Sequence, residues 1–241
     1  MQAVHSSAVG VRHEAQTRSG IQRIGGAAAV IFGVLDLAVV AILISTFSRY
    51  GVKMPIESNP APFYDWLNAM LPVLLPLQLL LTAAAVFAVV FVRAVDERLR
   101  PDAPSASHIA AVFGYTGFLL IMLDFASFAV LEQSIKSGDS RLVVEGMIPA
   151  WSMITGTAGV VGGLLMVGWL LVVNWIAVRH RALPKALGYL GLVAGVVGLA
   201  GPLLAVHGFP HLLANVWEIA AGAVLFLGTQ PAAGRKAADI P

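Results

Sequence analysis

Six long apolar runs recur along the chain, and this pattern constrains the fold more than any other feature of the sequence. A run of about 20 apolar residues in a helix is long enough to cross the hydrocarbon core of a bilayer. Together the runs use up most of the 241 residues. We therefore predict an all-α integral membrane bundle of six transmembrane helices. The predicted spans are Ile24–Thr46, Ala69–Val92, Ile109–Leu131, Ile148–Val178, Ala186–Val206 and Leu212–Thr229.

The composition agrees with lipid as the main solvent of this chain. Hydrophobic residues make up 58% of the sequence and charged residues only 12%, and the mean hydropathy is +0.83. Soluble domains carry about 25% charged residues, so a chain like this one lacks the polar surface to cover its own core in water. Cysteine is absent, which excludes disulfides, thiolate metal sites, iron–sulfur clusters and a cysteine nucleophile.

The lysines and arginines predict the orientation, because cytoplasmic loops carry an excess of them. Placing both termini in the cytoplasm puts most of the 15 basic residues inside. The inside set is Arg12, Arg18, Arg23, Arg93, Arg98, Arg100, Arg179, Arg181, Lys185, Arg235 and Lys236, and the outside set is Arg49, Lys53, Lys136 and Arg141. Residues 1–23 and 230–241 are then cytoplasmic tails on a 24–229 transmembrane domain.

The partners expected from the sequence are lipids and other membrane helices. The basic residues are scattered among helix ends rather than gathered in a stripe, so no nucleic acid is expected. Gly159 and Gly163 in the fourth span, and Gly191 and Gly195 in the fifth, have the spacing of close helix contacts. Packing within one chain is the leading interpretation. A homo-oligomer or a larger membrane complex is the alternative.

Three acids lie inside apolar runs, where an ionisable group is costly unless it is paired, protonated or facing water. They are Asp36, Asp124 and Glu218. At about 1.5 Å per residue, all three fall between the bilayer centre and its outer face. They are the leading candidates for a binding site, although the sequence does not establish that they meet.

Each acid shares a helix face with small or polar residues, so these faces are predicted to point into the bundle. The stripes are Gly26, Ala29, Gly33 and Asp36; Gly114, Gly117, Ile121 and Asp124; and His211, Asn215, Glu218 and Gly222. His211 and Asn215 join the candidate ligands on this ground. His207, at the end of the fifth span, is expected just outside the same layer.

Four functions would use such a set of residues. Carboxylates and histidines can bind a divalent cation, although their spacing here matches no metal motif. Buried carboxylates can carry a proton or an ion across the membrane, and this transport or binding function is our leading interpretation. The alternatives are a membrane enzyme that uses paired carboxylates as acid and base on a lipidic substrate, and a structural subunit in which the acids fix helix register.

The remaining polar residues in the spans predict less. Gln78 and Asn174 are single amides in apolar runs, typical of hydrogen bonds between helices. The sequence contains no phosphate-binding loop, nucleophile elbow, zinc-protease helix or dinucleotide fingerprint. Catalytic residues, a metal and a cofactor are accordingly left unassigned.

Three segments resemble uncharacterised bacterial multi-helix membrane proteins. The first is the run from Ala182 to Gly195, where a basic loop and Leu183-Pro184 precede a glycine-rich helix. The others are the opening Arg23-Ile24-Gly25-Gly26 and the closing helix with Trp217, Gly222 and Leu225. The resemblance implies six helices in a bacterial inner membrane. It implies no activity and no site residues.

Overall fold

The fold is all-helical throughout the part of the chain that the structure describes. The computed structural model describes residues 2–52, 60–200 and 209–228, with side chains for residues 20–52, 60–124, 126–200 and 212–228. These ranges form six helices and no strand. The helices are α1 (Gln2–Tyr50), α2 (Ala61–Leu99), α3 (Pro104–Lys136), α4 (Arg141–His180), α5 (Lys185–Ala200) and α6 (Phe209–Leu227).

Four of the described helices, α1 to α4, are long and apolar enough to cross a membrane, which agrees with the predicted class of fold. The described parts of α5 and α6 are shorter apolar helices of 16 and 19 residues. The number of spans and the orientation of the termini stay predictions.

The helices extend further than the predicted spans. The 40 residues of α4 correspond to about 60 Å of helix, twice the thickness of a hydrocarbon core. The helix α1 begins at Gln2, so it continues through the segment 1–23 that we predicted as a tail. Hydropathy marks only the part of a helix that lipid can cover, and regular backbone hydrogen bonding continues into the flanking polar turns.

Consecutive helices pack against each other, and α6 returns to α1, so the neighbour relations close into a ring. A contact between α2 and α4 crosses the ring. The α1/α6 contact depends on two glycines, which have no side chain to keep the helices apart. A Cβ on Gly26 would lie 2.5 Å from the Gly222 carbonyl oxygen, and a Cβ on Gly222 would lie 2.7 Å from Ala29 Cβ. Without these glycines, the two backbones could not approach so closely.

Two aromatic clusters fill the bundle at different levels. The central cluster consists of Phe32, Phe91, Phe118, Trp169 and Trp217, with neighbouring ring centroids 5.0–6.1 Å apart. Most of these contacts are edge-to-face, the arrangement that the charge distribution of aromatic rings favours. The second cluster, near the α3–α4 turn, consists of Phe47, Phe63, Trp66, Phe128 and Trp151.

The second cluster includes residues that precede the second predicted span. Residues 61–68 lie before Ala69 and already belong to α2. Phe63, Trp66 and Leu67 in this part of α2 are fully buried. Trp66 also donates a hydrogen bond to Thr46 Oγ1 on α1, at 3.0 Å. These aromatic residues are therefore part of the core.

Candidate functional site

Two of the predicted site residues, Asp36 and Glu218, interact electrostatically across the α1/α6 contact. The antiparallel register of these helices produces the meeting. Gly26 faces Gly222 and Phe226, and Gly33 faces Ile219 and Asn215. Asp36 lies one helical turn beyond Gly33 on the same face. It is therefore opposite the turn of α6 that contains Asn215.

Burial differs between the two acids of this pair. Glu218 is only 4% exposed, whereas Asp36 is half-buried. The residues around them are mostly small or apolar: Ala29, Gly33 and Gly222 are all buried on the same contact. Two carboxylates that lie close together in such surroundings cannot both keep a bare charge at low cost. A proton or a cation between them removes that cost.

Two polar atoms at this contact have no hydrogen-bond partner among the described residues. One is Glu218 Oε2 and the other is Asn215 Nδ2. Asn215 is 3% exposed, and it lies one turn before Glu218 on the same face of α6. The predicted stripe of α6 therefore does point into the bundle. His207 lies outside the described residues, as does the side chain of His211.

Asp124 faces a different interface. Its carboxylate is within hydrogen-bonding reach of the Thr155 hydroxyl on α4, and a Cβ on Gly159 would lie 3.1 Å from Asp124 Oδ2. Gly159 thus leaves the space that the carboxylate needs. Trp151 donates a hydrogen bond to Ser127 Oγ at 2.9 Å one turn away. The structure places Asp124 between α3 and α4, while Asp36 and Glu218 lie between α1 and α6.

A divalent metal site finds no support within the described ranges. These residues contain no group of three or more His, Asp or Glu side chains that could hold a metal ion. The Asp36–Glu218 pair supplies two carboxylates, and the side chains of His207 and His211 lie outside these residues.

Asn174 has the hydrogen bonds between helices that we predicted for it. Its Oδ1 accepts a hydrogen bond from Trp217 Nε1 on α6 at 2.9 Å, and its Nδ2 donates to the Leu170 carbonyl at 2.8 Å. Its side chain also fills the space above Gly191 on α5. The amide thereby links α4, α5 and α6 at Trp217, the residue next to Glu218. These contacts fix the face that α6 presents to α1.

Gln78 has a different environment. Its Nε2 is buried and has no partner in the described part of the chain. It lines a cavity of about 10 Å³ together with Leu43, Trp66, Leu74, Leu77, Leu81 and Phe128. That volume is close to the minimum that holds one water molecule.

A buried ion-pair network at the end of α2 was missed by the sequence analysis. Asp96 is 4% exposed and pairs with Arg93 and Arg100. Ser107 on α3 donates hydrogen bonds to the carboxylate and the backbone carbonyl of Asp96. Glu97 pairs with the same two arginines. The spacings of three and four residues predict ion pairs on a helix, but they do not reveal that α3 covers the acids.

The next residue, Arg98, connects three parts of the chain at this end. Its Nε donates to the Ala182 carbonyl at 3.0 Å, and its Nη1 lies 3.4 Å from Gln22 Oε1. Burial lowers the pKa of the Arg98 guanidinium, while the hydrogen bond with Asp96 raises the pKa of Arg100. Arg98 thus ties α1, α2 and the α4–α5 turn together. The basic residues of this end therefore stabilise the fold, and they are also among the residues from which we predicted the orientation.

Comparison of the chain with protein-family models, with curated proteins and with solved structures gives no match. The function is therefore argued from the site.

Proposed function

We propose that this protein is a multi-pass membrane protein that binds a proton or a small cation between Asp36 and Glu218 as part of transport across the membrane. In this proposal the chain crosses a bacterial plasma membrane six times, with both termini in the cytoplasm. The observation that carries it is a buried Glu218 with an unpartnered oxygen in electrostatic contact with a second acid.

The packing of α1 on α6 supports an exchangeable site. The helices meet closely through glycine and alanine, because small residues let two backbones approach each other. Asp36 is half-buried, so one acid of the pair stays accessible from its surroundings. This arrangement suits a carboxylate pair that takes up and releases its ligand. A purely structural pair would gain more from full burial and complete hydrogen bonding.

The first test is the thermal unfolding of the purified full chain in detergent from pH 5 to 9. Raising the pH removes a proton held between the acids and leaves two like charges in an apolar contact. We therefore expect the Tm of the wild type to fall with rising pH, and to fall much less in Glu218→Gln and Asp36→Asn. Neutralising a costly charge pair should leave the Tm unchanged or raise it at high pH.

Two controls separate this pair from other titrating groups. Asp124→Asn makes the same chemical change at the α3/α4 interface, and above about pH 7 it should keep the pH dependence of the wild type. His207→Gln with His211→Gln removes the histidines that titrate in the same pH range. Helix α5 also packs against α6. The ionisable side chains on its described part are Lys185 and Tyr189, and both are exposed. A Tm that drops at every pH in Glu218→Gln would contradict the proposal and favour a structural role for the acids.

A further inference from the structure

The unpartnered atoms at the α1/α6 contact indicate what kind of ligand the site takes. Asn215 Nδ2 can only donate a hydrogen bond, and Glu218 Oε2 accepts one when the carboxyl is ionised. Both side chains are more than nine-tenths buried, and neither atom has a partner within the described residues. An unsatisfied buried polar atom costs about 1–3 kcal/mol. A ligand that serves both atoms at once would therefore be strongly favoured.

The geometry brings the two atoms to one place. Asn215 and Glu218 are three residues apart on α6 and share a face. A Cβ on Gly33 would lie 2.6 Å from Ile219 Cγ1 and 3.5 Å from the Asn215 carbonyl oxygen, so α1 and α6 are in close contact beside Asn215. Asp36 approaches from the next turn of α1, and it interacts with Glu218. The amide and the two carboxyl groups therefore belong to the same stretch of the α1/α6 contact.

The hydrogen-bonding groups at this contact distinguish between two candidate ligands, an alkali cation and a water molecule. A bare alkali cation is bound by oxygen atoms, and the N–H edge of an amide carries partial positive charge that repels it. A water molecule can accept a hydrogen bond from Asn215 and donate its own to the two carboxyl groups. Buried waters of this kind commonly make about three hydrogen bonds.

We propose that Asn215 holds a water molecule between Glu218 and Asp36, and that the site is selective for protons over alkali cations. This inference depends on the proposed function and specifies its ligand. The water relays the proton: the Glu218 carboxyl gives its proton to the water oxygen while the water gives one of its own to the Asp36 carboxylate. The water is regenerated, and the net charge of the site is unchanged.

Infrared difference spectroscopy of the full chain in lipid nanodiscs, between low and high pH, tests the inference. A protonated-carboxyl band that disappears in Glu218→Gln shows that Glu218 exchanges its proton. A water O–H band that shifts in H₂¹⁸O shows the bound water, and we expect Asn215→Leu to abolish it. Asn215→Ser keeps a donor on the same face and should retain the water band. Replacing choline with sodium or potassium at fixed pH should leave the carboxyl band unchanged.

The outcomes separate the two proposals. If no carboxyl band is assigned to Glu218, the proposed function fails. If that band is present but no H₂¹⁸O-sensitive band accompanies it, the bound water is contradicted while proton binding stands. A water band that persists in Asn215→Leu but is lost in His211→Gln overturns the role of Asn215. Loss of the carboxyl band in sodium or potassium overturns the proton selectivity and indicates a cation site.

Discussion

At the scale of single residues, the buried polar side chains in the described part of the bundle include both satisfied groups and groups with an unpartnered atom. Asn174 is the clearest satisfied example, because its amide oxygen and nitrogen both have partners. Asn215 and Glu218 are the opposite case, with one unpartnered atom each in the described structure. Satisfied groups add stability, whereas buried unpartnered groups cost free energy and are typical of functional sites.

We expect Asn174→Ala to lower the free energy of unfolding by about 1–3 kcal/mol, because it leaves the Trp217 N–H buried without a partner. A double-mutant cycle with Trp217→Phe isolates this hydrogen bond. Once the indole N–H is gone, the second substitution at Asn174 should cost less. Chemical unfolding in mixed micelles measures both steps. Equal costs of Asn174→Ala in the two backgrounds would contradict the assigned bond.

At the scale of helices, close contacts depend on where glycine lies, not merely on how many glycines a helix has. Gly222 contacts Gly26 and Ala29 across the α1/α6 interface, whereas Gly163 on α4 has nothing within 4 Å of an added Cβ. Both residues were predicted from the same kind of spacing. Gly222 supports the contact that carries the carboxylate pair, and Gly163 has open space where a side chain would lie.

We expect Gly222→Val to lower the Tm, because the new side chain overpacks the α1/α6 contact at a cost of about 1–3 kcal/mol. Gly163→Val is the matched control: it adds the same atoms to a transmembrane helix, at a position with open space. It should leave the Tm unchanged. Thermal unfolding in detergent compares the two, and equal effects would show that the α1/α6 contact is not as close as described. If Gly163→Val alone changes the oligomeric state, the α4 face is a subunit contact.

At the scale of the whole molecule, the orientation in the membrane is predicted from the basic residues at the two ends of the bundle. The network of Asp96, Glu97 and the surrounding arginines lies at one end, and the α3–α4 turn lies at the other. The basic residues predict that the arginine-rich end is cytoplasmic. For the proposed transport, this orientation sets which side of the membrane each end of the α1/α6 contact faces.

The absence of cysteine makes the orientation directly measurable. Asp102→Cys and Ser137→Cys place a single thiol in the α2–α3 turn and in the α3–α4 turn, respectively. We expect a membrane-impermeant maleimide to label Ser137→Cys on intact cells, and to label Asp102→Cys only after the membrane is opened. The reverse pattern would contradict the predicted orientation. A thiol at Ser105, exposed in the same region as Asp102, serves as a second reporter.

The sequence by itself determined the class of fold, since a chain with long apolar runs and few charges can satisfy its backbone in lipid only as helices. It also identified the polar stripes, because helical periodicity places Asn215 and Glu218 on one face. Hydropathy could not give the helix ends, which extend into polar turns at α1 and α4. The tertiary structure decided which acids meet. Asp36 joins Glu218 while Asp124 turns to Thr155, because glycine contacts between segments far apart in the chain select each helix's neighbour.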